Sequence, residues 1–334
     1  MVRIGVIGCG AIAVVEHLPG FDRCRNRKVV AVADVDEGKA AGAAKKFGVK
    51  DHYFDYREML ERDDIDAVSI ATPNFLHRDM AVASARAGKH ILVEKPIAST
   101  MKEADEMVKS AEESKVILMV EQSHRFLPAN QKAKDLLIKG TIGRVTTVRG
   151  RVGHGGPEGW SPSGKWFFKK KEAFGGAMAD MGIHEIDAIR WMLGKEVSEV
   201  VAFLGTLEKK IEVEDNGVCL MKFGDGTFGI MESSWTTRPG IAQTTFYGEK
   251  GTMIVNAWGD ITIKLASGKT ITPKIPSRGK YGIKYGSPYQ YFVNCIENGE
   301  EPFVSGKEGR KSLEVVIAAY ESSRTGKVVR LRRR

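Results

Sequence analysis

Residues 2–13 read VRIGVIGCGAIA, an apolar strand followed at once by a glycine turn and by small residues that favour a helix. Gly8, Gly10 and Ala13 give the turn the form G-x-G-x-x-A. In such a unit the first glycine permits a tight turn, and the second lets the backbone approach a pyrophosphate. The small third residue lets the helix pack on the strand, and the N-terminus of the helix attracts phosphates. The segment therefore predicts a dinucleotide-binding loop.

An acidic residue stands where this loop requires one. Asp34 follows the apolar run at residues 29–33, about 20 residues beyond the loop. A carboxylate at this strand end can accept hydrogen bonds from ribose hydroxyls and would repel a 2′-phosphate. Val35, Asp36 and Glu37 follow, with no arginine to bind such a phosphate. The pattern therefore favours NAD as the cofactor over NADP.

Short apolar runs alternate with helical stretches through the first third of the chain, up to a strand predicted at residues 116–120. Near-continuous apolar strands separated by helices indicate a parallel sheet covered on both faces. The helix at residues 11–21 is predicted to be cut short by Pro19 and Gly20. We expect an α/β fold whose first part, residues 1–122, is a doubly wound, NAD-binding Rossmann domain.

Strands dominate the remainder of the chain. Seven are predicted between residues 145 and 265, and Asp225-Gly226 marks a hairpin between two of them. This pattern predicts an α+β domain over residues 123–334 with a largely antiparallel open sheet. Two terminal helices within residues 289–325 are expected to pack back on the first domain.

Composition excludes several classes of protein. The 334 residues include no apolar run near the roughly 18 to 20 that span a bilayer, so no membrane association is expected. The four cysteines form no CxxC pair, which indicates reduced thiols and a cytoplasmic location. The net charge of +9 owes much to the arginines at residues 330–334, a tail that we interpret as solvated. No recognition-helix motif accompanies that tail, so nucleic-acid binding is not expected.

Lys95 has a position suited to catalysis. It stands in Glu94-Lys95-Pro96, directly after the strand predicted at residues 90–93. Carboxyl ends of strands in an open parallel sheet face the ligand crevice, so Lys95 is expected beside a bound nicotinamide. The proline keeps Lys95 out of helical dihedrals, and the bond before Pro96 could be cis.

A second group of polar residues opens a helix in the second domain. Asp180 and His184 are four residues apart and share one helical face, which is an arrangement suited to a general base. Asp187, three residues further on, could orient the imidazole instead. Gly175 and Gly176 precede the helix and are expected to admit close approach of substrate or cofactor. No second histidine stands at metal-ligand spacing, so no metal is predicted.

Together these segments resemble the glucose–fructose oxidoreductase, inositol dehydrogenase and MocA family. The likeness covers the whole chain, and the pairing of E-K-P with D-x-x-x-H is its most specific part. The matching segments are GCGAIA (8–13), ADVD (33–36), ATPNFLH (71–77), AGKHILVEKP (87–96), GGAMADMGIHEID (175–187), YGEKGTMIV (247–255) and SLEVVIAAYESS (312–323).

The resemblance implies roles for individual residues. Lys95, Asp180 and His184 match the family's catalytic groups, with His184 as the acid/base, and all three are expected to contact substrate. Arg125 matches a position where members often place a substrate or cofactor contact. The residues expected to contact the cofactor are Gly8, Gly10, Ala11, Ile12, Asp34, Thr72, Pro73, Asn74, His77, Glu94, Lys95, Gln122 and Trp166.

The expected reaction is reversible hydride transfer between NAD and a hydroxyl or ketone of a sugar, sugar derivative or cyclitol. His184 would take the hydroxyl proton, and Lys95 would stabilise the developing alkoxide. We therefore expect Lys95 and His184 to meet at one nicotinamide. Two alternatives stay open, namely a glycosidase that oxidises its substrate transiently with bound NAD and a non-catalytic dinucleotide or sugar sensor.

Two expectations concern partners. Four lysines at residues 165–171 could attract a phosphorylated, nucleotide-linked or acidic sugar, although a solvated loop is the simpler interpretation. The family's open sheet commonly forms its subunit interface, so the resemblance implies a homodimer or homotetramer built through the second domain.

Overall fold

The computed structural model describes residues 1–161, 164–275 and 287–331. Contacts divide these residues into two compact units. The first comprises residues 1–122 and 287–311, and the second comprises residues 123–275 and 312–331. Of the two terminal helices, one lies in the first unit, whereas the other begins in the first unit and ends in the second.

The first unit contains a six-stranded parallel sheet in the order β3-β2-β1-β4-β5-β6. Its strands are β1 Val2–Ile7, β2 Arg27–Ala33, β3 Asp51–Tyr53, β4 Ala67–Ile70, β5 His90–Glu94 and β6 Leu118–Glu121. This is the doubly wound order that the sequence predicts, and the strand order reverses between β1 and β4. Ligands of such sheets bind at the carboxyl ends of these two strands.

Five helices follow the first five strands of this sheet. They are α1 Leu18–Asp22, which continues a π-helical turn at Ala13–His17, α2 Glu37–Phe47, α3 Tyr56–Leu60, α4 His77–Arg86 and α5 Met101–Glu113. Local signals set the bounds of α2. The Asp36 side chain accepts a hydrogen bond from the Lys39 N–H, and Gly48 ends the helix with a positive φ of 65°.

The first helix ends one residue beyond its predicted end, but Pro19 and Gly20 do not end it. The helical segment runs from Ala13 to Asp22 and passes through both residues without a break. At Gly20 a Cβ would stand 2.2 Å from the Tyr289 ring. The glycine is therefore required by a ring packed against the helix, and it does not end the helix.

The second unit contains a nine-stranded sheet in the order β14-β13-β12-β11-β7-β10-β9-β8-β15. Its strands are β7 Val145–Gly153, β8 Val197–Gly205, β9 Asn216–Phe223, β10 Phe228–Ser234, β11 Ile241–Gly248, β12 Gly251–Asn256, β13 Ile261–Leu265, β14 Thr270–Ile271 and β15 Val329–Arg330. Only the pairing of β10 with β7 is parallel, so the sheet is largely antiparallel as predicted. The sequence does not predict the two-residue edge strands β14 and β15.

The remaining helices are α6 Pro128–Ile138, α7 Lys170–Ala173, α8 Ile183–Leu193, α9 Pro288–Asn298 and α10 Gly306–Thr325. Helix α8 continues a π-helical turn at Met178–Gly182 and is buried along nearly its whole length. One face of the second sheet shares a hydrophobic core with α8 and with the residues of α10 that belong to this unit.

Residues 332–334 of the arginine tail lie outside the described residues. Within the tail, Arg330 pairs with β8 through β15. Among the described helices none is both long and apolar enough to cross a membrane. The four cysteines are free thiols, and burial raises the pKa of Cys9 and Cys219 to about 12.

Candidate active site

The glycine loop after β1 has one crowded and one open position. Gly8 has a φ of +91°, and a Cβ there would stand 2.7 Å from the Ala71 carbonyl oxygen, so the turn requires glycine. At Gly10 nothing lies within 4 Å of where a Cβ would be. The loop thus packs against the end of β4 at Gly8 and leaves space at Gly10. Ala11 and Ile12 follow with helical backbone and begin the helical segment.

Asp34 connects the end of β2 to this loop. Its Oδ2 accepts a hydrogen bond from the Cys9 N–H at 2.7 Å, and its Oδ1 accepts one from the Asp36 N–H at 2.8 Å. Each oxygen of a carboxylate can accept a further hydrogen bond, so the side chain is held in place and still able to bind ribose hydroxyls. The cofactor role of Asp34 stays a prediction.

The turn that follows β4 carries Thr72, Pro73 and Asn74, and His77 fastens it to the turn after β5. The buried His77 ring lies with Nε2 3.0 Å from the Thr72 carbonyl oxygen and Nδ1 2.9 Å from the Pro96 carbonyl oxygen. Burial lowers the pKa of His77, so the neutral ring donates to one of these carbonyls at a time. Both nitrogens of His77 thus face backbone, which indicates that it positions the two turns.

Glu94 ends β5 inside a chain of buried hydrogen bonds. His17, which is fully buried, lies with Nε2 2.9 Å from Glu94 Oε1 and with Nδ1 2.8 Å from Ser69 Oγ. The other carboxylate oxygen accepts a hydrogen bond from the Lys95 N–H at 3.1 Å. Burial opposes ionisation of Glu94, but the hydrogen bond from His17 and the charges of His17 and Lys95 outweigh it and lower the pKa of Glu94.

Lys95 is therefore fixed at its backbone by an ionised, buried carboxylate. The Lys95–Pro96 peptide bond is cis. Sequence reasoning missed His17, because its partners Ser69 and Glu94 are 52 and 77 residues away in the chain. The only local signal was that Glu16 and His17 interrupt an apolar helical segment.

Gln122, just beyond β6, has an unusual environment. Its side chain is fully buried, and neither its oxygen nor its nitrogen has a hydrogen-bond partner among the described residues. A buried amide without partners costs free energy unless a ligand supplies them. The carboxamide of a nicotinamide carries the complementary donor and acceptor, so Gln122 fits the cofactor contact predicted for it.

In the second unit, Asp180 has a partner that sequence analysis missed. The fully buried Trp235 donates a hydrogen bond from Nε1 to Asp180 Oδ2 at 3.0 Å. Asp180 lies in the π-helical turn, and His184 lies in the first turn of α8. Both side chains are buried, with 7% and 9% of their surface exposed. The indole holds the Asp180 carboxylate in one orientation.

Gly175 and Gly176 pack against their own chain, so the expectation that they admit substrate or cofactor is wrong. A Cβ at Gly175 would stand 1.9 Å from Tyr320 Oη, and one at Gly176 would stand 1.8 Å from the Glu214 carbonyl oxygen. The Glu214 carboxylate also accepts hydrogen bonds from the Gly176 and Met178 N–H groups at 2.9 Å. Burial raises the pKa of Glu214.

Asp187 does not orient His184, which corrects that alternative. Its carboxylate accepts two hydrogen bonds from Arg125, at 2.6 and 2.7 Å, and one from Ser312 Oγ at 2.8 Å. Arg125 is 1% exposed and Asp187 is fully buried. This pair links the turn at Ser123–Phe126 to α8, and the substrate contact expected of Arg125 stays a prediction.

Trp166, in the basic loop at residues 165–171, packs against a hydrophobic cluster that contains Phe167 and Trp235. The Trp166 ring stacks on Phe167 at a centroid distance of 3.9 Å, and the cluster includes Trp235, the partner of Asp180. The charge of Lys169 is balanced by Glu172 at 2.9 Å, which supports the interpretation of a solvated loop. Residues 162 and 163 lie outside the described residues.

Comparisons with known proteins identify the family of the chain. Residues 2–122 match a family model described as oxidoreductase family, NAD-binding Rossmann fold, and residues 130–254 match the GFO/IDH/MocA C-terminal domain. The chain is 30% identical over 340 residues to a 1,5-anhydro-D-fructose reductase of Ensifer adhaerens, covering 99% of both chains.

Two further matches extend over almost the whole chain. A myo-inositol 2-dehydrogenase of Thermotoga maritima is 28% identical, with 98% of each chain covered. A crystal structure of levoglucosan dehydrogenase in complex with NADH superposes with a TM-score of 0.85, at 26% identity and with 98% of each chain covered.

Proposed function

Because the chain belongs to the GFO/IDH/MocA family of NAD-binding oxidoreductases, we propose that Lys95, Asp180 and His184 carry out hydride transfer between NAD and a sugar or cyclitol. The main observation behind this proposal is the way in which Glu94 and His17 anchor Lys95. Its neighbour Glu94 is a buried, ionised carboxylate held by His17 at the carboxyl edge of the NAD-binding sheet. A chain that only bound NAD would have no need to hold a lysine there.

The residues present fit NAD. The open space at Gly10 suits the approach of a pyrophosphate, the Asp34 carboxylate suits a ribose, and the unpaired amide of Gln122 suits a carboxamide. We propose that the turn at Thr72–Asn74, with Glu94 and Trp166, completes this set. NAD, when bound, accepts the hydride from the substrate carbon or returns it.

Each catalytic side chain has a distinct task in the oxidation direction. As the C–H bond releases its hydride, the substrate hydroxyl gives its proton to a ring nitrogen of His184. The Lys95 ammonium stabilises the negative charge that develops on the oxygen. Asp180, held by Trp235, contributes a fixed negative charge that favours the protonated imidazole.

A substrate screen with one variant tests the proposal. The purified protein is offered NAD with sugars, inositols and nucleotide sugars, and NADH absorbance is followed. Lys95→Met is expected to abolish turnover while NAD still binds, because the loop and Asp34 are untouched. A fully active Lys95→Met enzyme would end the assignment of Lys95.

The same screen separates the two alternatives. An NAD-dependent glycosidase would release sugar from glycosides without net NADH formation. A sensor would bind NAD or sugar and convert neither. Product analysis beside the absorbance measurement distinguishes all three outcomes.

We also propose a homodimer or homotetramer that forms through the outer face of the second sheet. On that face β8, β9 and β10 present large apolar side chains to solvent, with Phe203 78%, Leu220 51% and Phe228 59% exposed. Adjacent strands carry charged pairs such as Arg149–Glu232 at 2.7 Å, which would border the apolar centre. An apolar patch of this kind rimmed by charge is typical of a subunit interface.

The expected cytoplasmic location remains a proposal that the free thiols support. Cell fractionation with an antibody against the protein would test it.

A further inference from the structure

A second histidine lies against His184 in the second unit. His124, in the short helical turn at Ser123–Phe126, stacks its ring on that of His184 with centroids 4.7 Å apart and planes inclined by 18°. His124 is 5% exposed and His184 is 9% exposed, so the two rings form one buried layer. No local pattern predicts this pair, because 60 positions separate its members.

Packing on several sides holds the His124 ring. Its edge meets the Trp258 ring at 5.9 Å with an interplanar angle of 89°, and Asn130 Nδ2 donates a hydrogen bond to the His124 carbonyl oxygen at 2.9 Å. Its Nδ1 has no hydrogen-bond partner among the described residues. Stacking therefore contributes more than hydrogen bonding to the orientation of this ring.

A buried carboxylate stands beside the stacked pair. Glu185 Oε2 lies 3.7 Å from His124 Nδ1, beyond hydrogen-bond distance, and Glu185 is 1% exposed. Its Oε1 accepts a hydrogen bond from Thr244 on β11, so the carboxylate is fixed to the sheet. His124 thus lies between a fixed carboxylate and the face of His184.

We propose that His124 is a positioning residue for His184. This inference rests on the proposed function, in which His184 takes the hydroxyl proton. A ring nitrogen accepts a proton well only along its own plane, so rotation of the imidazole would misalign it. A parallel ring at 4.7 Å obstructs that rotation.

Three substitutions at one position separate the possible roles of His124. His124→Phe keeps a planar ring and removes both nitrogens. His124→Leu keeps similar bulk without a plane, and His124→Gln keeps polarity without a ring. For each, kcat, the KM for the sugar, the Kd for NADH and the Tm are measured on the full chain.

The plane of the ring is expected to decide the outcome. His124→Phe should retain kcat within about threefold, whereas His124→Leu and His124→Gln should lose about tenfold or more, as small misplacements of catalytic groups do. The Kd for NADH should stay unchanged in all three. In a His184→Ala background, His124→Leu should have no further effect on kcat, because the ring it positions is gone.

Several results would overturn the proposal. If His124→Phe and His124→Leu lower kcat and Tm equally, the His124 side chain only fills space. If His124→Gln keeps the wild-type kcat and His124→Phe does not, the nitrogens of His124 matter and its stacking does not. Should His124→Leu fail to fold, the kcat of His124→Phe is compared with that of His124→Gln, and this comparison alone tests the proposal. Failure of the proposed function is distinguishable, since wild type would then reduce no NAD or His184→Ala would remain active.

Discussion

At the scale of single residues, each catalytic candidate depends on a buried partner that lies far away in the chain. Glu94 beside Lys95 is held by His17, and Asp180 is held by Trp235. Buried polar groups lose their water and must find hydrogen bonds within the protein, so their partners determine their orientation. Mutation of these partners therefore tests the role of each catalytic candidate while its own side chain stays unchanged.

Trp235→Phe tests this support at Asp180. The substitution keeps an aromatic ring in the core and removes the donor to Asp180 Oδ2. A hydrogen bond to a charged group contributes about 1.5–3 kcal/mol, so we expect kcat to fall about tenfold or more and the free energy of unfolding to decrease. Steady-state kinetics and urea denaturation measure both effects.

Trp191→Phe is the matched control, because it makes the same chemical change on α8 at a ring that contacts Lys134. It should leave kcat near the wild-type value. An unchanged kcat in Trp235→Phe would show that the indole does not serve Asp180 in the reaction.

At the scale of elements, glycines near predicted ligand sites serve two different purposes. Gly8, Gly175 and Gly176 are required by neighbouring atoms of the protein, whereas Gly10 faces open space. Sequence pattern alone treats Gly10, Gly175 and Gly176 alike, as sites of close approach to a ligand. Only the surroundings of each missing Cβ distinguish a packed glycine from one that leaves room for a ligand.

Gly10→Ala should weaken NAD binding without harming the fold. A Cβ at Gly10 meets no protein atom within 4 Å, so the Tm should stay at or above the wild-type value. The added methyl group would occupy the space proposed for the pyrophosphate, and we expect the Kd for NAD to rise about tenfold or more, equivalent to ~1.4 kcal/mol. Titration calorimetry and thermal unfolding measure the two quantities.

Gly42→Ala in α2 provides the control, since a Cβ there also meets nothing within 4 Å. It should leave NAD affinity unchanged and slightly stabilise the helix. Equal NAD affinity in Gly10→Ala and wild type would place the pyrophosphate elsewhere.

At the scale of the whole molecule, the exposed face of the nine-stranded sheet is the feature that single-chain packing leaves unexplained. Strand β9 alternates buried and exposed residues, and its exposed positions include Val218 and Leu220. Alternation normally places polar residues on the solvent side. Apolar residues there support the proposal that this face of the sheet forms the subunit interface.

Leu220→Lys combined with Phe228→Lys should therefore reduce the mass of the particle in solution, because both new charges would lie beside Lys222 on the same face. The two charges would be buried without planned partners if the face is an interface, and burial of unpaired charge is strongly unfavourable. Light scattering coupled to size exclusion measures the mass. Phe54→Lys, at an exposed apolar position of the first unit, is the control and should not change it. An unchanged mass in the double variant would reject the sheet as the interface.

Local patterns along the chain were enough to predict the parallel sheet, the glycine loop, Asp34 at its strand end and Lys95 after β5. These features depend on periodicity and spacing over a few residues, and local patterns record such information. The antiparallel character of the second sheet and most bounds of its strands could be predicted for the same reason. Pro19 and Gly20 misled because Tyr289, which packs on that helix, is remote in the chain.

Which polar side chains meet could be read only from the packing of the folded chain. That packing pairs Asp187 with Arg125 and not with His184, fills the space at Gly176 with Glu214, and stacks His124 on His184. A buried polar group takes whatever partner the packing of distant elements brings within hydrogen-bond distance, and no spacing along the chain records that choice.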